Sequence, residues 1–205
     1  YLKVCDIIYF MIYIVGLGNP TEEYENTRHN TGALSVESFA KKNKFPLLET
    51  NKKLRALVSE DKIGKEKIEL ILPQTFMNKS GLSLKPLITS KKKAENLVVI
   101  YDDLDMPLGK FKISFGRGSG GHKGVESIAR SIKTKDFIRI RVGIAPATPS
   151  GKIKKPKGEQ KILDFILGDF KKPELEKLKK VFKKVNEAIE VIVKDGRAKA
   201  MNEFN

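Results

Sequence analysis

The chain has 205 residues, of which 40% are apolar, enough to sustain a core in one domain and to exclude a disordered or fibrous class. Lys and Arg number 40 against 25 Asp and Glu, a net charge of +15. So positive a field attracts polyanions, nucleic acid first and an anionic membrane surface second, with a merely solvated Lys-rich surface as the plain alternative.

Residues 1–10 are apolar but lack a small-residue cleavage site, so they do not read as a signal peptide. They are expected to be a peripheral, non-native extension, with Met11 a candidate initiator and residues 11–205 a single domain. Ile12 to Leu17 is β-branched, ends in Gly16-x-Gly18, and reads as a buried central strand followed by a loop. Ala33 to Lys42 has helical spacing. Leu54 to Glu60 and Lys67 to Leu72 read as strands around a turn at Gly64, and Pro73 breaks the run. A short helix is expected over Ser80 to Ser90. Asn96 to Tyr101 is an apolar strand of a sheet covered on both faces. Lys110 to Phe115 and Phe137 to Ile144 alternate as strands, separated by the Gly116–Gly121 loop and a helix from His122 to Ile132. Residues 145–160 form a Pro/Gly/Lys loop of a length that usually carries function. Pro173 opens a striped helix to about Lys194, Gly196 closes it, and a short helix ends the chain. Strands alternating with helices predict a single α/β domain, a mixed twisted β-sheet flanked by helices on both faces. No apolar run approaches the ~20 residues of a membrane span. The single cysteine, Cys5, excludes an intramolecular disulfide and fits a reducing cytosol.

The Gly16-x-Gly18 turn departs from a dinucleotide fingerprint, because Thr21 stands where the third glycine belongs and Pro20 interrupts. It reads instead as a tight turn at the carboxyl end of a central strand, where α/β folds place their sites. His29 follows on that loop, between Arg28 and Asn30, one of two histidines in the chain. A histidine acting as a base needs a group to hold its tautomer and stabilise the imidazolium. Asp102, Asp103 and Asp105 in "YDDLDMP" are candidates, at the expected end of a neighbouring strand. They otherwise form a turn or a divalent metal site, although the spacing of a calcium loop is missing. Asn30 and Thr31 are candidate helix caps. In "PQTFMNKSG", Asn78 or Ser80 either caps a helix or offers an amide beside an apolar pocket wall of Phe76 and Met77. His122 and Lys123 stand at an expected helix N-terminus, which either binds an anion or is a plain hinge.

Taken in order, "VGLGNPTEEYENTRHNTG", "PQTFMNKSG", "YDDLDMPLGKFKI", "GSGGHKG" and "RIRVGI" closely resemble the bacterial peptidyl-tRNA hydrolase family from about Met11 onward. The resemblance implies a monomeric cytoplasmic enzyme, without metal or cofactor and unconnected with a membrane. Its substrate would be the ester between a peptide and the 3′ ribose of peptidyl-tRNA. It implies that His29 is the catalytic base and that Asp102 holds its imidazole. Asn19 and Asn78 would orient substrate and water, Tyr24 would meet the end of the acceptor stem, and Met77 would line the peptide channel. Lys110, Lys112, Arg139 and Arg141 fall where the family keeps its tRNA-binding patch. Two positions depart from the family: Lys123 stands where the better-known members carry asparagine, and either substitutes as a cationic donor or faces the tRNA backbone, and Thr21 stands where many carry glycine, and is expected to stiffen the turn.

An aminoacyl ester is already activated, so an imidazole near its ordinary pKa of ~6.5 can drive its hydrolysis at neutral pH. Two other readings make different demands. A non-catalytic tRNA-binding module of the same fold needs the basic surface but not His29. A metal-dependent phosphohydrolase needs the three aspartates together.

Overall fold

The structure, a computed structural model, describes residues 11–148, 150 and 152–205, so the expectation for residues 1–10 falls outside it. The β-branched run Ile12–Gly16 (β1) forms the centre of the sheet. It pairs in parallel with Glu66–Pro73 (β4) on one side and Leu97–Pro107 (β5) on the other, and Ile138–Ala145 (β7) lies parallel beyond β5. Antiparallel strands finish both edges: Ala56–Ile63 (β3) and Glu49–Asn51 (β2) beside β4, and Phe111–Phe115 (β6) beside β7. The result is a seven-stranded mixed sheet of order β2-β3-β4-β1-β5-β7-β6.

Strand periodicity divides the core in two. Ile14, Ile100 and Ile140 face Thr31–Lys42 (α1) and Lys172–Asp195 (α6), whose Phe39, Phe182 and Ile189 are buried against them. Val15, Val99 and Tyr101 face Gly81–Leu84 (α2) and Lys123–Ile132 (α4), through Leu84, Val125 and Ile128. Lys91–Glu95 (α3) leads into β5 and is capped by Ser90, whose hydroxyl accepts the Lys93 N–H. Arg197–Phe204 (α7) closes the chain.

Most expected elements stand within a few residues of their expected limits, and three departures bear on the site. First, β5 continues past Tyr101 to Pro107, so the aspartates lie within the strand and not beyond it. Second, Glu159–Leu167 (α5) occupies a stretch with no expected element, and the loop before it is partly ordered by antiparallel pairing of Ala147 with Ile153. Third, Thr21 does not stiffen its turn in a relaxed conformation: it lies at φ +83°, ψ 149°, a region that suits glycine and costs a β-branched residue ~1–3 kcal/mol.

Candidate active site

Because β1 and β5 run parallel, with Gly16 opposite Ile100, the loop after β1 and the distal half of β5 meet at one sheet edge. The loop folds into two single-turn 3-10 helices, Glu22–Tyr24 and Arg28–Asn30, and the second carries His29 into the interior. Its ring meets Asp102 from β5, with Nδ1 3.0 and 3.1 Å from the two carboxylate oxygens. Burial alone pulls the His29 pKa down, but the charge of Asp102 and the hydrogen bond to it outweigh burial and leave it above the ordinary 6.5.

Asp102 has a second partner. His122, from the other side of the sheet, places Nε2 3.0 Å from Oδ1 of Asp102. His122 also occupies the N-cap of α4, where its Nδ1 accepts the backbone N–H of Val125 at 3.4 Å. An Nδ1 that accepts has no hydrogen, so the proton sits on Nε2 and is donated to Asp102. Burial would raise the Asp102 pKa, yet the His29 and His122 contacts prevail and hold it well below the usual carboxylate range. A carboxylate that stays ionised then holds the His29 proton on Nδ1, leaving Nε2 as the basic nitrogen. That nitrogen has no hydrogen-bond partner among the described residues, and His29 lines a cavity of about 710 Å³.

The same cavity is bordered by Asn19, Tyr24, Met77, Asn78, Lys123 and Arg141. Asn19 is a joint. Its Oδ1 accepts the Met77 N–H at 2.9 Å, while its backbone N–H donates to Asn30 Oδ1 at 2.8 Å and its carbonyl accepts Asn30 Nδ2 at 3.0 Å. The oxygen being engaged, the Asn19 amide NH₂ is what remains for a bound molecule. These bonds also correct the expected capping roles. Asn30 stands at the N-cap of α1 but makes no capping bond, and Thr31 donates back to the Arg28 carbonyl at 2.7 Å. Met77 is buried beneath the cavity against Gly124, where any Cβ would meet its sulfur at 2.5 Å. Asn78 and Lys123 are exposed at the rim, Lys123 as the first residue of α4.

The aspartates do not converge on one point. Asp103 accepts from Arg141, Asp105 pairs with Lys155 at 2.6 Å, and neither joins Asp102. Among the described residues the only group with metal-ligand spacing is His29, Asp102 and His122, whose ligand atoms lie within 4.8 Å of one another. The protons placed on Nδ1 of His29 and Nε2 of His122 occupy the positions that a metal would take.

The basic positions divide. Lys110 and Lys112 are exposed, and Lys112 sits opposite Arg141 across β6 and β7. Arg139 is the exception to the expected patch. It is only 1% exposed, its Nη1 donates to the Gly118 carbonyl, and it lies under the loop that closes over β7, out of reach of a phosphate. Residues that sequence reasoning passed over complete the cavity. They are His122 as the second donor to Asp102, and Ile162, Leu163 and Ile166, which form an apolar wall on α5.

A family model described as peptidyl-tRNA hydrolase matches residues 13–205. The chain belongs to the peptidyl-tRNA hydrolase family. A peptidyl-tRNA hydrolase of Thermodesulfovibrio yellowstonii is 40% identical over 198 residues, covering 95% of this chain and 99% of the relative. One of Alkaliphilus oremlandii is 40% identical over 196 residues, covering 95% and 100%. A crystal structure of the peptidyl-tRNA hydrolase of Acinetobacter baumannii superposes with a TM-score of 0.84 at 30% identity, covering 95% of this chain and 94% of that one. Membership of this hydrolase family agrees with an open cavity beside an oriented histidine. Among the described residues no helix is long and apolar enough to cross a membrane.

Proposed function

We propose that this enzyme cleaves the ester between the peptide and the 3′-terminal ribose of peptidyl-tRNA, with His29 as general base. The observation that carries the reading is the orientation of His29, whose Nδ1 is held by a buried carboxylate while its Nε2 is left to the cavity. A water at Nε2 gives up a proton as its oxygen bonds to the ester carbonyl carbon. The oxyanion so formed is met by amide donors, of which Asn19 Nδ2 and Asn78 are the candidates. Its collapse breaks the bond to the 3′ oxygen, which takes the proton from the His29 imidazolium and leaves as the ribose hydroxyl. The products are a peptide acid and free tRNA.

The remaining residues divide the substrate between them. Met77 and the exposed Phe76 offer an apolar surface to the peptide, and Tyr24 a ring for the terminal nucleotide. Lys123 answers the nearest phosphate, and Lys110, Lys112 and Arg141 answer the acceptor stem. Phosphate contacts of this kind bind without reading sequence, as suits an enzyme that accepts many tRNAs. Arg139 serves as an internal prop of the loop and not as a phosphate ligand. On this reading the protein is a cytosolic monomer whose base chemistry requires no metal.

The test is hydrolysis of an N-blocked aminoacyl-tRNA. General-base catalysis is worth ~10²–10⁴ in rate, so His29→Ala keeps its fold and loses activity on that scale, while EDTA leaves the wild type unaffected. Near-normal turnover by the variant removes the assignment. Binding of tRNA by the wild type without cleavage marks a non-catalytic module instead.

A further inference from the structure

Arg28 precedes the base in sequence, yet its side chain turns away from the cavity and is buried. Its Nη1 donates to the carbonyls of Gly168 at 3.0 Å and Phe165 at 3.4 Å, which are end groups of α5. Its Nη2 meets Glu174 at 2.8 Å, and the same Glu174 oxygen accepts the Lys171 N–H at the start of α6. The guanidinium also lies 4.5 Å from the ring centre of Phe165 and 5.4 Å from that of Phe170. The main chain reinforces this clasp. Arg28 N–H donates to Gly168, Phe170 N–H donates to Asn26, and Thr27 bridges to Asp169. One arginine thus closes the C-terminus of one helix, where a cation is favoured, and holds the first turn of the next.

What it holds is the wall of the cavity. No residue of α5 is fully buried and only Phe165 and Ile166 pack part-way against the core, yet Ile162, Leu163 and Ile166 line the cavity that His29 faces. We infer that Arg28 is a positioning residue for peptide binding: it fixes the α5 wall at a set distance from the base one residue further along the chain. The inference rests on the hydrolase reading above. Lysine at this position keeps the charge but loses the planar fork that serves two carbonyls, a carboxylate and two rings together. Gly168 leaves room for the clasp, because a Cβ there would stand 3.2 Å from the Asp164 carbonyl oxygen at the end of α5 and 3.3 Å from Arg28 Nη1. Its φ of −81° accepts alanine without backbone strain, so Gly168→Ala disturbs the clasp while keeping Arg28.

The experiment measures kcat, KM and the acid limb of the pH profile on an N-blocked peptidyl-tRNA for wild type, Arg28→Lys and Gly168→Ala, with a thermal melt of each. A wall that contributes equally to binding substrate and transition state affects KM alone. In both variants KM is expected to rise by about fivefold or more, the effect of losing one sizeable contact, with kcat within about twofold and the acid limb unmoved. An unchanged KM in either folded variant overturns the proposal. So does a fall in kcat with a displaced limb, which would mean that Arg28 serves the His29 turn. Should Arg28→Lys fail to fold, Gly168→Ala decides alone. An inactive wild type would defeat the hydrolase reading and this proposal with it, whereas an active wild type with unchanged KM in the variants defeats this proposal alone.

Discussion

At the scale of single residues, the opposition of burial and charge at His29 makes a signed prediction. Burial lowers its pKa and Asp102 more than reverses this. If His29 is the base proposed above it must be neutral to work, so wild-type kcat/KM is expected to fall as pH drops through a value above 6.5. Asp102→Asn keeps the shape of the side chain and removes its charge. Burial then dominates, and the acid limb moves to a pH below that of the wild type. Activity drops by about 10²–10⁴, because an amide can also present its NH₂ to Nδ1 and put the ring hydrogen on the wrong nitrogen. A pH–rate profile of the variant checks both effects, and a limb that stays in place would show that His29 is not the titrating base. His122 explains why Asp102 can be buried and still ionised: two N–H donors share one carboxylate.

At the scale of elements, the approach of α1 to the sheet decides whether His29 reaches Asp102 at all. A Cβ on Gly32 would stand 2.2 Å from the Ile100 carbonyl oxygen and 2.5 Å from the Leu17 nitrogen, both rigid backbone atoms of the site edge. Gly32→Ala therefore forces α1 and its preceding turn off β1 and β5, at a cost of about 3 kcal/mol, the upper end of ordinary overpacking. Gly118→Ala, in open space with a permissive φ, costs less than about 0.5 kcal/mol, as a surface change does. Urea titration of the two variants measures the contrast, and equal midpoints would refute the tight contact. The pairing of the β1 loop with β5 was legible in advance, because two continuous apolar runs ending in polar loops imply parallel neighbours sharing an edge. Other features were not legible, for identifiable reasons. The helix α5 is short, shares its apolar side between a cavity and a part-way contact of Phe165 and Ile166 with the core, and follows a Pro/Gly/Lys loop that hides its start. The alternation of Arg139 with Ile138 and Ile140 looks like a wet strand face, but the Phe137 ring and the loop through Gly118, distant in sequence, cover it. The sequence placed His122 at the start of α4, as an anion site or a hinge, but its capping bond and its bond to Asp102 depend on which face of the sheet α4 covers.

At the scale of the whole molecule, the net charge is +15, yet one acidic group in the sheet has no positive neighbour among the described residues to hold it ionised. Glu69 on β4 is buried, lies beside Tyr13 of β1 and Glu60 of β3, and has no cationic partner among the described residues. Burial first and the Glu60 charge second raise its pKa from 4.5 to about 7. The folded chain therefore keeps a proton that the unfolded chain releases near 4.5, and stability falls as pH rises between those two values. The His29–Asp102 pair also titrates: its stabilisation is lost as pH falls through the depressed Asp102 value, and the share due to protonated His29 is lost as pH rises past its own raised one. That contribution is common to the wild type and to a Glu69 variant, so their difference isolates Glu69. Glu69→Gln supplies a neutral side chain of the same shape at every pH. Near pH 4 the two proteins should be about equally stable, because the native glutamate is already protonated. Toward pH 8 the variant should become the more stable by up to about 3 kcal/mol, each pKa unit being worth about 1.4 kcal/mol. Denaturant unfolding across this range measures the divergence. A difference that stays constant with pH would mean that Glu69 ionises in the folded protein as readily as in the unfolded chain.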